Sequence, residues 1–288
     1  MIHMKIGWIG AGKTGVSLGR YFCEHQIPIA GYYSKSIASA QEAAKITGSK
    51  WFTKLQELVE CSDILFVTTT DSAISEIWAQ LRDLPIENKI LCHCSGSLSS
   101  GIFSERQKRN AYGYSVHPLL AIHDKYTGHT LLRDAVFTIE GDPEHLSDVT
   151  SLFAKTGNPV QVIDSAYKTL YHCAAVTVSN HVLALLDCGI EMLTACGFSR
   201  EQALAALTPL VHHNVETALR QDVVPSLTGP VERGDVETVA AHLACLSSQR
   251  SQQQLYRLLA DRLADIARVK HPGRDDSEMR KMLGGLFL

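Results

Sequence analysis

Residues 4–15 read Met-Lys-Ile-Gly-Trp-Ile-Gly-Ala-Gly-Lys-Thr-Gly, and the parsing of this stretch decides the fold. Residues 4–9 predict a short apolar strand. Gly10-Ala11-Gly12-Lys13-Thr14-Gly15 follows as G-x-G-x-x-G, ahead of a helix predicted over 12–25. In this pattern the first glycine turns the chain, the second admits a pyrophosphate to the backbone, and the third lets helix and strand pack closely. The phosphates then lie at the helix N-terminus, where free N–H groups and the helix dipole favour anions. A second parse overlaps the first. Gly7 to Thr14 also fits G-x-x-x-x-G-K-[ST], a P-loop, in which Lys13 and Thr14 would serve the phosphates and magnesium of a nucleotidase. That parse leaves Gly15 unexplained and shortens the strand to 2–6. It also wants an apolar run ending in aspartate, whereas 64–67 is followed by three threonines before Asp71. The dinucleotide reading is preferred.

Working outward, short apolar runs alternate with helical patterns. Strands are predicted over 28–33, 64–69, 89–93, 112–116, 135–140 and 159–163, with an alanine-rich helix over 37–46. The run at 64–69 is continuously apolar, as in a strand buried on both faces of a parallel sheet. This alternation implies βαβ units and a Rossmann-type, doubly wound, mostly parallel α/β sheet. Beyond Asp164 only helical periodicity survives. Helices are expected over 165–196 (capped by Ser165), 199–220 (capped by Ser199), 235–246 and 252–269. The expected division is a dinucleotide-binding domain over 1–164 and an all-helical substrate and dimerisation domain over 165–288. The tail from 270 is expected to wrap a surface or fray. Residues 174–198 are strongly apolar but include Asn180, His181, Asp187 and Glu191, which reads as a buried helix rather than a membrane span.

The chain has 288 residues, 45% hydrophobic and 20% charged, with 27 basic against 30 acidic side chains and a net charge of −3. That balance suits a soluble globular protein of two domains and gives no default reason to expect nucleic acid or an anionic membrane as partner. The eight cysteines are scattered with no CxxC pair, and no secretory leader pattern opens the sequence. Reduced, mostly buried thiols in a cytoplasmic protein are expected. The thirteen histidines show no metal-site spacing: His117, His123 and His129 recur every six residues, and His212 and His213 are adjacent. No metal is expected.

The end of the second strand chooses the cofactor. An NAD-type site places a carboxylate there for the ribose 2′-OH. Here the segment is Tyr33-Ser34-Lys35-Ser36, where two hydroxyls and a cation suit a 2′-phosphate, with Lys13 or Arg20 in support. NADP(H) is therefore favoured over NAD(H). Ligands of open α/β sheets lie beyond the carboxyl ends of the strands. Three such ends are polar: Thr68-Thr69-Thr70-Asp71, His93-Cys94-Ser95-Gly96-Ser97 and Ser115-Val116-His117-Pro118. The threonines are assigned to the cofactor, and Ser95 and Gly96 to the nicotinamide ring or the substrate. For His117 a substrate-facing role stands beside a packed or capping imidazole.

On the helix after Asp164, Lys168 and His172 share a face at a spacing of four. Ser179 falls about 20° from Lys168 and joins them, while Asn180, about 120° away, needs a helix irregularity to do so. Lys168 and His172 facing the cofactor could pass a proton to a substrate oxygen or nitrogen as hydride arrives. The plainer alternative is a solvated lysine and a packed histidine. In Leu227-Thr228-Gly229-Pro230-Val231-Glu232-Arg233-Gly234-Asp235 the Gly-Pro pair forces a turn and Asp235 is placed to cap the next helix. Arg233 is a candidate for an anionic substrate group.

Taken together, GAGKTG, HCSGS and VHP in the front half, with YKTLYHCAAVTVSN and LTGPVERGD in the back half, resemble a bacterial family. Its members join a Rossmann-like domain to a C-terminal helical domain of unknown function. The family is a branch of the 6-phosphogluconate dehydrogenase C-terminal-domain-like superfamily, with pyrroline-5-carboxylate reductase, ketopantoate reductase, prephenate dehydrogenase and the β-hydroxyacid dehydrogenases among its relatives. The resemblance implies NADP(H) binding and a homodimer built through the helical domain. Lys168 matches a catalytic lysine that several of these relatives carry on the first long helix after the cofactor domain. His172 stands where they place an asparagine, a departure that leaves the acid–base assignment open. His117-Pro118 looks like the His-Pro of prephenate dehydrogenases. The resulting expectation is an NADP(H)-dependent oxidoreductase acting on a small carbonyl, hydroxy or imino compound in a cleft between the domains. The alternatives are a non-catalytic NADP(H) sensor and the P-loop nucleotidase.

Overall fold

The computed structural model describes residues 4–284, which fall into two compact units divided between Val178 and Ser179. The first unit is built on eight strands: β1 (Ile6–Ile9), β2 (Ile29–Tyr33), β3 (Lys50–Phe52), β4 (Ile64–Val67), β5 (Ile90–His93), β6 (Tyr112–Pro118), β7 (Phe137–Gly141) and β8 (Val160–Val162). They lie in the order β3-β2-β1-β4-β5-β6-β7-β8. Every neighbouring pair is parallel except β6 and β7. The connecting helices are α1 (Lys13–Glu24), α2 (Ile37–Thr47), α3 (Leu55–Glu60), α4 (Asp71–Leu81), α5 (Gly128–Leu131) and α6 (Leu146–Thr156), and α7 (Lys168–Val178) closes the unit. This is the expected doubly wound sheet.

The apolar runs follow from burial on both faces. Successive side chains of a strand point to opposite sides. Trp8 and Phe66 enter one core with Phe22, Phe137 and Phe153, while Ile9, Leu65 and Val67 enter the other with Trp78 and Leu91. Gly7 lies inside β1, where a Cβ would meet Ser62 Oγ at 2.2 Å. Strand packing therefore explains this glycine, and the P-loop parse loses the residue on which its loop would begin.

Strand order reverses at β1, which pairs with β2 on one side and β4 on the other. The crevice for a ligand in such a sheet opens beyond the carboxyl ends at this point, where the glycine loop leaves β1. Secondary structure turns wholly helical after β8, near residue 164, but the compact unit ends fourteen residues later, because α7 carries the buried Lys168 and the Tyr171 that bonds to β6. Asp164, not Ser165, caps this segment, its carboxylate accepting from the Ala166 amide at 2.8 Å.

The second unit contains α8 (Asn180–Ala195), α9 (Arg200–Gln221), α10 (Val223–Ser226), α11 (Pro230–Arg233), α12 (Val236–Cys245), α13 (Arg250–Lys270) and α14 (Ser277–Leu283). Ser199 opens α9 with a capping box completed by Gln202, and Asp235 caps α12, as the sequence leads one to expect. Its core gathers Val231, Val239, Leu243, Ala260, Ala264, Met279 and Leu283. Of the two expectations for the tail, fraying does not hold through Leu283: Ser277–Leu283 is a helix whose Met279 and Leu283 pack into this core. Arg280 anchors it against Asp261, Asp265 and Asp276 at 2.9, 2.7 and 3.1 Å. The last four residues of the tail lie outside those described.

Two expectations about burial are corrected. The stretch Ser165–Ala195 is not a buried helix: only Lys168 in α7 and Ile190 in α8 are buried, and Leu183 remains 64% exposed. With a mean hydropathy of 1.5 over its apolar window the stretch is, by length and composition, apolar enough to cross a membrane, and most of its side chains are partly or fully exposed among the described residues. The thiols are not mostly buried either. Cys61, Cys173, Cys196 and Cys245 are exposed and only Cys92 is fully buried.

Candidate active site

The glycine loop is tightly determined. Gly10 adopts φ +111°, where a side chain is strained, and a Cβ there would sit 2.9 Å from the Thr68 carbonyl carbon. A Cβ on Gly15 would meet Thr68 Oγ1 at 2.4 Å and the Gly10 carbonyl oxygen at 2.6 Å, so α1 rests directly on the loop and β4. A Cβ on Gly12 would meet nothing within 4 Å. Gly12 is also the N-cap of α1, with no side chain satisfying the first-turn amides and no acidic residue in that turn. An open approach to unsatisfied amides is what a phosphate requires. Ala11 is buried, while Lys13 is exposed and Thr14 half-buried at the start of α1.

Around this loop several expected ligands prove to be committed elsewhere. The Thr68 hydroxyl donates to the Gly10 carbonyl at 3.0 Å, so it holds the loop instead of facing a ligand. Thr69 is half-exposed, and Thr70 is exposed with its hydroxyl 3.2 Å from that of Ser72. Ser36 caps α2 by accepting from the Ser39 amide at 3.3 Å. Ser34 is half-buried, and Lys35 projects exposed beside it. Arg20 is bound to Glu24 and to the Tyr126 carbonyl, each at 3.1 Å, and so is not free to assist.

The polar strand ends β5 and β6 converge with α7. Ser95 is spent inside its own loop: it donates to Asp71 at 2.7 Å and accepts from the amides of Ser97 and Leu98. That corrects its assignment as a ligand hydroxyl and identifies Asp71, which also accepts from Ser97 at 2.9 Å, as the anchor of the loop. His93 is fully buried and accepts from the Ser95 amide through Nδ1, while Nε2 lies 3.2 Å from the Ser99 carbonyl. Burial lowers its pKa to about 4, so it is a neutral structural imidazole.

Gly96 is the point of contact. A Cβ on it would stand 2.5 Å from His172 Nδ1 and 2.9 Å from His117 Nε2, so only glycine lets the loop lie against both rings. The two rings are 6.5 Å apart and nearly perpendicular. His117 Nδ1 is 2.7 Å from the Tyr171 hydroxyl, and burial, with Lys168 and His172 nearby, lowers its pKa to about 4.

Lys168 is 1% exposed, and its Nζ has no hydrogen-bond partner. The ammonium lies 5.3 Å from the centre of the Tyr171 ring. Burial lowers its pKa to about 8, with Glu140, Cys94 and Asp71 pulling the other way. Glu140 itself accepts from the Ser100 amide and hydroxyl at 2.6 and 2.8 Å. His172 Nδ1 is likewise buried without a partner. Burial also raises the Cys94 thiol to about 12, which keeps it protonated.

Lys168, His172, His117 and Gly96 are therefore brought together, and Tyr171 is the member that sequence reading missed. Its signal was present, since it stands three residues from Lys168 on the same helix face. Ser179 and Asn180 fall in the second unit, past a break in the helix, where the Ser179 hydroxyl lies 3.1 Å from Asn180 Oδ1. Arg233 also belongs to the second unit, its side chain 61% exposed and 4.0 Å from Asp235. Among the described residues no group of three metal-ligating side chains assembles.

Residues 1–118 match the Rossmann-like domain model, and residues 135–263 match the domain of unknown function DUF2520. The chain therefore carries a Rossmann-like domain followed by DUF2520. A solved protein of Thermotoga maritima is 28% identical with a TM-score of 0.76, covering 92% of this chain and 99% of that one. A Plasmodium falciparum pyrroline carboxylate reductase solved with NADP bound shares the fold at 15% identity and a TM-score of 0.60, covering 93% and 99%. A provisionally named 6-phosphogluconate dehydrogenase of Bacillus subtilis is 26% identical over 205 residues, 67% of this chain. The chain spans 62% of that protein and 46% of another curated relative, an exodeoxyribonuclease 7 large subunit of a Nostoc species, 23% identical over 193 residues.

Proposed function

We propose that this chain, a Rossmann-like domain followed by DUF2520, is an NADP(H)-dependent oxidoreductase acting on a small carbonyl, hydroxy or imino compound. The observation that carries the reading is the buried, unpartnered Lys168 ammonium set beside two imidazoles at the carboxyl ends of β5 and β6. The residues around the glycine loop fit a dinucleotide. The uncapped first turn of α1 and the open side of Gly12 would hold the pyrophosphate, with Gly10, Ala11 and Gly15 shaping the loop and Lys13 and Thr14 beside it. Ser34, Lys35 and the remaining hydroxyl proton of Ser36 would hold a ribose 2′-phosphate where no carboxylate stands to prefer a free hydroxyl. Thr69 and Thr70 edge the same crevice. When bound, the nicotinamide supplies or accepts the hydride.

The side chains handle the proton. With a pKa of about 8, Lys168 is mostly protonated at neutral pH, yet it is a stronger acid than a solvated lysine. It would donate to the substrate oxygen or nitrogen as hydride reaches carbon, with His172 one turn along the helix orienting that atom. The fold shared with an NADP-bound pyrroline carboxylate reductase supports both the cofactor and the carbonyl or imino class of substrate. We also propose that the protein works as a homodimer, whose second copy covers the apolar face of α8 and α9.

Calorimetric titration with NADPH, NADH and Mg-ATP is the first test, and NADPH should bind tightest. Binding of Mg-ATP without NADPH would sink the proposal. With a panel of carbonyl and imine substrates, Lys168→Ala should cut turnover by roughly 100-fold or more while NADPH affinity stays within about threefold. Turnover equal to that of the unaltered protein would remove Lys168 from the chemistry.

A further inference from the structure

His117 lies at the meeting point of β6, the Gly96 loop and α7, and its two ring nitrogens have different surroundings. Nδ1 faces the Tyr171 hydroxyl at 2.7 Å, and Nε2 faces the loop at Gly96. A hydroxyl on a half-buried tyrosine places its proton on the nearest acceptor the fold sets beside it. Among the described residues His117 Nδ1 is the acceptor set within hydrogen-bond reach of the Tyr171 hydroxyl, so the Tyr171 proton belongs there. Nδ1 then accepts, and the imidazole proton belongs on Nε2.

The charges around the ring act in the same sense. Lys168 and His172 on α7 and His93 on β5 all oppose a second proton on His117, and burial opposes it too, while Asp71 at the start of α4 alone favours it. Asp71 is occupied by the hydroxyls of Ser95 and Ser97, so it offers the ring no direct ion pair. A neutral imidazole with a fixed tautomer is a hydrogen-bond donor rather than an acid.

Resting on the oxidoreductase reading above, we infer that Tyr171 is a positioning residue that holds His117 as the neutral Nε2–H tautomer, so that His117 polarises the substrate oxygen or nitrogen by hydrogen bonding while Lys168 supplies the proton. The two tasks are thereby divided between two groups. His117 lends a donor and keeps its proton throughout, and Lys168 loses one in each reductive turnover and regains it from solvent.

The test reads the tautomer directly. In the full-length protein labelled with ¹⁵N-histidine, long-range ¹H–¹⁵N spectra, assigned with His117→Asn, should show His117 protonated at Nε2 between pH 6 and 8. Tyr171→Phe should mix the tautomers and lower kcat roughly 10-fold or more, with the KM for NADPH unchanged. An Nδ1–H tautomer in the unaltered protein, or a tautomer unmoved by Tyr171→Phe, would overturn the inference. These spectra need no cofactor, so they decide the assignment separately from the NADPH titration on which the oxidoreductase reading stands.

Discussion

Lys168 illustrates how a site residue acts against the stability of its own fold. Its ammonium is buried without a hydrogen-bond partner, and its pKa falls from 10.5 to about 8. At one pKa unit per 1.36 kcal/mol, that displacement corresponds to a folding penalty of about 3 kcal/mol at neutral pH. Lys168→Met keeps the length and apolar packing of the stem and removes the charge. It should therefore raise the melting temperature at pH 7 while losing turnover, and thermal scans will check this. The pH dependence has a definite sign. Between pH 8 and 10.5 the unfolded chain retains a proton that the folded protein has released, so the unaltered protein gains stability as pH rises. The advantage of the methionine variant should shrink across that window. A constant advantage from pH 7 to 10 would mean that the ammonium is not desolvated in the folded state. The type of residue and its i, i+4 partner were legible in the sequence. The burial was not, because periodicity places Lys168 on a face without saying what covers that face.

At the scale of elements, β1, α1 and β4 form one unit of construction. Gly15 allows α1 to rest on the Gly10 carbonyl and on Thr68, and Thr68 in turn holds the loop by its hydroxyl. Gly15→Ala needs only one added carbon to force these apart, since that carbon would approach Thr68 Oγ1 to 2.4 Å. NADPH affinity should fall by roughly 10-fold or more, whereas Gly157→Ala, strained by a φ of +77° but free of any Cβ clash at the end of α6, should leave affinity unaltered and serve as the comparison for strain alone. Affinity equal in both variants would disconnect the loop from cofactor binding. The central strands were readable because they are apolar on both faces, and a parallel sheet covered by helices demands that pattern. β3 was not, because at the edge of the sheet its three residues are mostly exposed. The six-residue α3 was missed because so short a helix gives a period little room to establish itself, and α4, as long as α2, lacks the run of alanines that made α2 legible. The break at Ser179 also escaped notice, because no proline or glycine marks it.

At the scale of the whole molecule, the unexplained feature is apolar surface. Val182, Leu186, Ile190, Leu207, Val211 and Val215 line a groove of 760 Å³ between α8 and α9. Burying such a face is worth about 25 cal/mol per Å² of apolar surface, and an obligate dimer interface has this composition. The proposed homodimer predicts that light scattering gives twice the chain mass and that Leu207→Glu, which sets a charge in the groove, gives a monomer. A monomeric unaltered protein, or one recovered only with lipid vesicles, would overturn it.

The sequence by itself determined the parts set by local rules. The glycine spacing dictated the loop, continuous apolar runs dictated the buried strands, and the capping residues Ser199 and Asp235 dictated where α9 and α12 begin. These depend on backbone conformation and on period, which neighbouring residues suffice to set. The tertiary structure assigned the tasks of the polar side chains. Thr68 and Ser95 carry hydroxyls as suitable for a ligand as those of their neighbours, yet each is consumed by a contact from a distant strand or loop. Tyr171 and His117, 54 residues apart, become a pair only because α7 packs over β6. A hydroxyl or an imidazole has few bonds to make, and the packing of remote elements settles which of them are already made.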